Sequence, residues 1–457
     1  MKISHFNTFP YGGAATAAIR IHAGLNQLAQ ASTARNSFNS QFWFCRNEKN
    51  IELDRSFQKI EFLPLPTGFL NGALERRKQK NRQREIYRQF NRHLATRPSG
   101  VETFSMAELP EPTRLNWATM ASDIVHLHWI SYLADYPTFF RSIPDAVPLV
   151  WTLHDMNAFT GGCHYANQCQ QFRFGCGDCE QVTERGMGDV SRTGFEAKRM
   201  ALAKKTIHVV TPSDWLGTLA QKSRVWPEAT TFQTIKYGLD LNQFRPIDKS
   251  FARKQLGINS DAVLVGFGAD DVNNRRKGVH HLLNAFRKIS DQAQAATRST
   301  DSGNSVDTVE GLLFGAGKIE DCADLPRLHQ MGFVDSIYQQ QLIYSAADMV
   351  VVPSREDNQP QVGLEAMACG TPVIGFRAGG IPEYVRHDQT GLLAELGNES
   401  QLAAQILQLA RDASFRRRLG RQARAMMESE FEMAQQSQKY VQLYQSSIGQ
   451  SSMRNVA

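Results

Sequence analysis

A β-branched run at 349–352 breaks into a polar loop, and this junction constrains the fold more than any other stretch. The loop, 353–360, holds Glu356, Asp357 and Asn358 between two prolines. Glu365 lies eight positions beyond Asp357 and opens a helix-compatible run that ends at Gly370. A second apolar strand follows at 372–376. Strand, loop, helix and strand in this order make a parallel βαβ unit, whose ligands gather beyond the carboxyl ends of the strands. The helix start turns backbone N–H groups and a positive dipole end toward an anion, while the two carboxylates accept hydrogen bonds from hydroxyls.

The same rhythm runs through the chain. At 457 residues it is too long for one hydrophobic core, so two or three domains are expected. Strands are read at 2–6, 41–45, 60–65, 123–129 and 149–154, with a helix at 14–30 that repeats Ala18, Ile21, Leu25 and Leu28 on one face. A second set starts near Thr206, with strands at 207–211, 232–237, 262–268, 311–315, 348–352 and 373–376. The fold class is α/β: two facing Rossmann-like doubly wound domains, at 1–205 and 206–428, with an interdomain cleft suited to a ligand. Residues 429–457 are expected to form a helix that packs back on the body. The stretch 292–309, rich in Ser, Thr, Asp and Gly, reads as a surface insertion.

Composition excludes several classes. Hydrophobic residues at 42% and charged residues at 21% describe an ordinary globular chain. No apolar run approaches the roughly 20 residues a membrane span needs. The N-terminus reads directly as a strand without the pattern of a signal peptide, so a cytoplasmic location is expected. The net charge of +6 is unevenly spread. Residues 75–93 carry Arg76, Arg77, Lys78, Lys80, Arg82, Arg84, Arg88 and Arg92 against Glu75 and Glu85, with Leu74, Ile86, Tyr87 and Phe90 as a thin apolar stripe. Such a helix suits an anionic membrane surface, or is a solvated face. No nucleic-acid module surrounds it, and no nucleic-acid partner is expected.

Chemistry-bearing residues cluster at the predicted strand ends. Gly12 and Gly13 follow the first strand and let backbone approach a phosphate closely. His154 and Asp155 close the strand at 149–154, and His126 and His128 share one face of a neighbouring strand, as metal ligands or as support. Arg275, Arg276 and Lys277 precede Gly278 at a strand-to-helix turn, where they can neutralise a diphosphate. Cys163, Cys169, Cys176 and Cys179 are spaced C-x5-C-x6-C-x2-C beside His164. In a cytoplasmic chain this spacing suits a structural metal, zinc first, with disulfides or free thiols as the alternatives.

Taken in order, Gly12-Gly13, Leu153-His154-Asp155, Arg276-Lys277-Gly278, Gly332-Phe333-Val334-Asp335, the paired acids and Gly379-Gly380-Ile381-Pro382-Glu383 resemble retaining glycosyltransferases of the family-four, or group 1, type. Thr160-Gly-Gly-Cys-His-Tyr165 with its cysteines is similar to the colanic-acid and exopolysaccharide branch. Asp357 stands where most members carry Glu. The Arg that usually follows the strand at 262–268 is absent, with Gly268 and Ala269 near its place and Arg275 as the nearest substitute.

The resemblance implies GT-B architecture, with an acceptor-side first domain and a nucleotide-sugar-binding second one. It implies transfer from a UDP- or GDP-sugar to a glycan or polyprenyl-linked acceptor, with retention and no catalytic metal, in cell-surface polysaccharide synthesis on the inner face of the membrane. Lys277 and Arg276 would take the diphosphate, Asp357 the transferred sugar, and Glu365 the ribose. His154 would orient the sugar. Gly12, Gly13, Phe333, Val334, Asn358, Gly379 and Gly380 would line the donor. A sugar-nucleotide epimerase of the same architecture is one alternative; a catalytically silent sugar-nucleotide-binding component of an assembly complex is another.

Overall fold

A computed structural model describes residues 1–31, 38–63, 72–98, 101–259, 261–298, 309–320 and 323–454. Among them the strands form two parallel sheets in two compact units. The first sheet contains β1 (Lys2–Phe6), β2 (Asn39–Phe44), β3 (Phe57–Lys59), β4 (Ile124–Leu127), β5 (Leu149–Thr152), β6 (Ile207–Thr211) and β7 (Thr231–Thr234). Its order is β3-β2-β1-β4-β5-β6-β7. The second contains β8 (Val263–Asp271), β9 (Val309–Ala316), β10 (Leu328–Gln330), β11 (Met349–Val352), β12 (Val373–Phe376) and β13 (Gly391–Ala394), in the order β10-β9-β8-β11-β12-β13. Both orders reverse beside the strand that begins the sheet, as in a Rossmann-like doubly wound fold.

The first sheet is apolar on both faces, which is why its strands read as unbroken hydrophobic runs. Val125, Trp151 and Val209 join a core with Phe139 and Phe140. Their chain neighbours Ile124, Val150 and Val210 point the opposite way and pack with Ile21, Leu25, Tyr440 and Tyr444. In the second unit Val265, Phe267, Val351 and Ile374 pack against Leu282, Phe286, Leu402 and Ile406. Each of these side chains contributes roughly 1.5–3 kcal/mol by leaving water.

The boundary expected near residue 205 is displaced. β6 and β7 extend the first sheet, so the first unit runs from Met1 to Lys236 and takes in Gln436–Ala457, while the second is Tyr237–Gln435. Alternation of strands and helices carries no mark of where one sheet stops and the next begins.

The helix Met433–Arg454 carries the chain from the second unit back into the first, from Gln436 onward. There Tyr440 Oη lies 2.8 Å from Thr152 Oγ1, and Tyr444 Oη 2.7 Å from His126 Nδ1. The basic segment forms the helix Gly72–His93. The expected insertion at 292–309 begins instead as the end of the helix Val279–Arg298, and its residues 299–308 lie outside the described residues. Among the described residues, no helix is long and apolar enough to cross a membrane.

Candidate functional site

In the second unit β8 ends at Asp271 and the chain turns sharply before the helix at Val279. Asn274 makes the turn: its Oδ1 accepts from the Arg276 N–H at 2.9 Å, and its carbonyl accepts from the Lys277 N–H at 3.0 Å. Gly278 has φ +79°, and a Cβ there would sit 2.0 Å from the Pro353 carbonyl oxygen, so only glycine lets the turn press against the loop after β11. Two bonds tie turn to loop. The Arg355 N–H donates to the Arg276 carbonyl at 2.8 Å, and Arg276 Nη1 donates to the Glu356 carbonyl at 3.0 Å.

This docking brings both cations to one carboxylate. Lys277 Nζ lies 2.7 Å and Arg276 Nη1 3.1 Å from Asp357 Oδ2. The Asn358 N–H donates to Asp357 Oδ1 at 3.0 Å. Burial pushes the Asp357 carboxyl up, but Lys277 and Arg276 outweigh it and hold it at about 2. From behind, the Gly380 N–H donates to the Asp357 carbonyl at 3.0 Å, and a Cβ on Gly379 would fall 1.9 Å from that oxygen. Asp357, Lys277, Arg276, Asn358, Gly379 and Gly380, scattered in sequence, thus meet at the carboxyl ends of β8, β11 and β12. The site is cationic by one charge and partly open through Lys277, which suits a phosphate-bearing anion.

Glu365 does not open its helix. That helix runs Gln361–Ala368, starting at the residue after Pro360, so Glu365 sits in the second turn and is buried. Tyr344 Oη donates to its Oε2 at 2.6 Å, a partner that no local pattern announced. Phe333, beyond β10, is 54% exposed and offers a ring face for stacking, while the Val334 carbonyl accepts from Gln340 Nε2 at 3.1 Å. The missing Arg has a steric cause. A Cβ on Gly268 would lie 2.1 Å from the Phe314 ring, so a side chain there requires that ring to move. Arg275 is exposed.

In the first unit His154 follows β5 and is nearly buried. Its Nε2 lies 3.2 Å from His128 Nδ1, and His128 Nε2 lies 3.0 Å from His5 Nδ1. Burial lowers His154 to about 4 and holds His5 and His128 well below the usual histidine range, so the chain of rings is neutral. Ring nitrogens of His5, His126 and His128 lie within 4.8 Å of one another. His126, however, has Tyr444 on one nitrogen and Thr152 Oγ1, at 2.8 Å, on the other, which fits support better than metal ligation. Asp155 accepts from His164 Nδ1 at 2.6 Å and from Trp129 Nε1 at 2.9 Å. Ser105 Oγ lies 2.8 Å from the remaining nitrogen of His164, so both nitrogens of this ring are engaged. Gly12, at φ +92°, and Gly13 are exposed between β1 and its helix. Cys163, Cys169, Cys176 and Cys179 all line one cavity.

Residues 262–412 match the family model described as "Glycosyl transferases group 1". The chain is 31% identical over 216 residues to the N-acetyl-alpha-D-glucosaminyl L-malate synthase of Bacillus anthracis, covering 47% of this chain and 52% of that one. It is 28% identical over 295 residues to the D-inositol 3-phosphate glycosyltransferase of Geodermatophilus obscurus, covering 62% and 58%. The chain thus spans between half and three-fifths of the length of these two relatives. Among solved structures it is similar to the sucrose-phosphate synthase of Thermosynechococcus elongatus, at TM-score 0.64 and 19% identity over 97% of this chain and 98% of that one. It is also similar to HepE of Anabaena in complex with UDP and glucose, at TM-score 0.59 and 18% identity over 98% and 100%. These likenesses establish the fold as two Rossmann-like domains of the GT-B kind.

Proposed function

We propose that this chain is a group 1 glycosyltransferase that moves a sugar, with retention, from a nucleoside-diphosphate sugar to a glycan or polyprenyl-linked acceptor in cell-surface polysaccharide assembly. The observation that carries this reading is the convergence of Lys277 and Arg276 on Asp357, inside the segment that matches the family model. The UDP bound by the structurally similar HepE adds support for a nucleotide donor.

The donor diphosphate takes the place of Asp357 in part of the coordination of Lys277 and Arg276. The bond from the anomeric carbon to the β-phosphate oxygen breaks, and the electron pair leaves with that oxygen. The two cations absorb the new charge, so the step asks for no divalent ion from the protein. The acceptor hydroxyl attacks from the departing side and passes its proton to the leaving phosphate, which preserves configuration. Asp357, ionised throughout, accepts a hydroxyl of the transferred sugar; Asn358 and the Gly379-Gly380 turn hold it in place. Glu365, fixed by Tyr344, accepts from the ribose. Phe333 and the Val334 backbone meet the base. His154 is neutral and orients a hydroxyl without adding charge, and Gly12 and Gly13 leave room for phosphate or acceptor.

The helix Gly72–His93 rests this enzyme on anionic lipid. Arg82 and Arg92 hold it to the protein through Asp135 and Glu184, while Arg76, Arg77, Lys80, Arg84 and Arg88 stay exposed with Tyr87 and Phe90.

The test is donor consumption across a panel of UDP- and GDP-sugars, with and without a polyprenyl-linked acceptor. Acceptor-dependent consumption is expected. Turnover that ignores the acceptor identifies an epimerase, and binding without turnover a silent partner.

A further inference from the structure

We infer that His5 and His128 are positioning residues that hold His154 with its proton on Nδ1, so that His154 meets substrate as a hydrogen-bond donor and offers it no base. The three rings belong to three neighbouring strands: His5 lies in β1, His128 just after β4 and His154 just after β5. His5 Nδ1 lies 3.0 Å from His128 Nε2, and His128 Nδ1 lies 3.2 Å from His154 Nε2. The ring planes differ by only 12° and 24° while the centroids stand 5.3 and 5.4 Å apart, so the rings meet edge to edge with nitrogen facing nitrogen. Burial keeps all three rings neutral. A neutral imidazole has one N–H and one bare nitrogen. Each contact therefore needs an N–H on one side and a lone pair on the other. A mixed row would set two hydrogens or two lone pairs against each other. Only two arrangements remain: all three protons on Nδ1, or all three on Nε2.

The far end of the row selects between them. His5 Nε2 is buried and, among the described residues, has no hydrogen-bond partner. With the protons on Nε2 it would be a buried donor without an acceptor. With the protons on Nδ1 it is a bare lone pair, the less costly of the two. The neighbouring ring of His126 lacks this constraint, because its partners Tyr444 and Thr152 are hydroxyls that turn to donate or accept. A ring nitrogen cannot adapt in that way, so the proton position at His5 passes through His128 to His154. The bearing on catalysis rests on the function proposed above. His154 donates from Nδ1 to an oxygen of the sugar or acceptor, and with Nε2 engaged by His128 it takes no proton. The acceptor's proton then goes to the departing phosphate.

Proton positions can be read in the full chain with isotope-labelled histidine rings, where long-range proton–nitrogen NMR correlations separate bare from protonated nitrogens and single replacements assign the signals. In wild type, His5, His128 and His154 should all carry the proton on Nδ1. His5→Met presents only a sulfur acceptor to His128, so the row should reverse and His154 should carry its proton on Nε2. Turnover in that variant should fall about tenfold. His5→Asn, whose amide N–H stands in for Nδ1–H, should keep the wild-type form at His154 and most of the turnover. A wild-type spectrum with His154 protonated on Nε2, or with the three rings in unlike forms, overturns the assignment. So does a His154 proton that stays on Nδ1 in folded His5→Met, the result expected if His5 only fills space. The wild-type spectrum decides even where neither variant folds. It also needs no donor, so an absence of sugar transfer counts against the proposed function and leaves the proton positions to be judged separately.

Discussion

Lys277 Nζ stands 2.7 Å from Asp357 Oδ2 across 80 residues of sequence, and Arg276 reaches the same oxygen. The basic turn is therefore already neutralised in part before any ligand arrives. On the proposed function, a donor diphosphate would compete with this carboxylate for the two cations, and Asp357 would set how strongly the site grips anions.

Asp357→Asn should raise affinity for free UDP or GDP while lowering sugar transfer. Releasing the cations from one charge-assisted contact is worth about 1.5 kcal/mol, roughly tenfold in Kd. Calorimetry reads the affinity; an unchanged or weaker Kd removes Asp357 from this competition.

The same carboxylate shapes acid stability. Its folded value of about 2 lies below the ordinary carboxylate range, so its contribution is complete above about pH 4 and is lost as pH falls toward 2. The amount is about 2 kcal/mol. Unfolding of wild type and Asp357→Asn should differ at neutral pH and converge toward pH 2; a constant gap contradicts the pairing.

Lys277→Ala should lower turnover by about 2–4 kcal/mol of transition-state stabilisation, with a smaller change in Tm. Wild-type turnover in this variant takes Lys277 out of the diphosphate site.

The buried histidines give the first unit an acid signature of the same sign in a higher pH window. His154, His128 and His5 have folded values below 6.5, so each favours folding above that pH and the advantage disappears as pH falls toward 4. Stability should drop steeply from pH 6.5, and His128→Gln should flatten the slope. An equally steep slope in the variant rules out His128 as a neutral ring.

Vesicles test the basic helix. Replacing Arg76, Arg77, Lys80 and Arg84 with Gln should weaken sedimentation with phosphatidylserine vesicles by about 1 kcal/mol per charge. Full retention of binding puts the membrane contact elsewhere.

Much of the architecture was legible because fully buried parallel strands write continuous apolar runs, and βαβ units place loops at predictable ends. The turn at Arg276-Lys277 and the acids near Asp357 could each be located, but their contact could not, since it depends on Gly278 pressing against Pro353. Glu365 was set too early in its helix because Gln361 and Val362 carry no capping signal, and its partner Tyr344 lies on another element. His126 and His128 declared a shared face. His5 joined them only through the pairing of β1 with β4, more than a hundred residues away.

The return of residues 436–457 to the first unit has a consequence for biosynthesis. Tyr440 and Tyr444 complete one side of a sheet whose first strand, β1, is made long before them. Until the ribosome has passed residue 444, Ile21, Leu25 and Val150 face water on that side, while Tyr237–Gln435 is already whole. The later-made unit is thus free to mature first, and the earlier one waits with an apolar surface that chaperones would recognise.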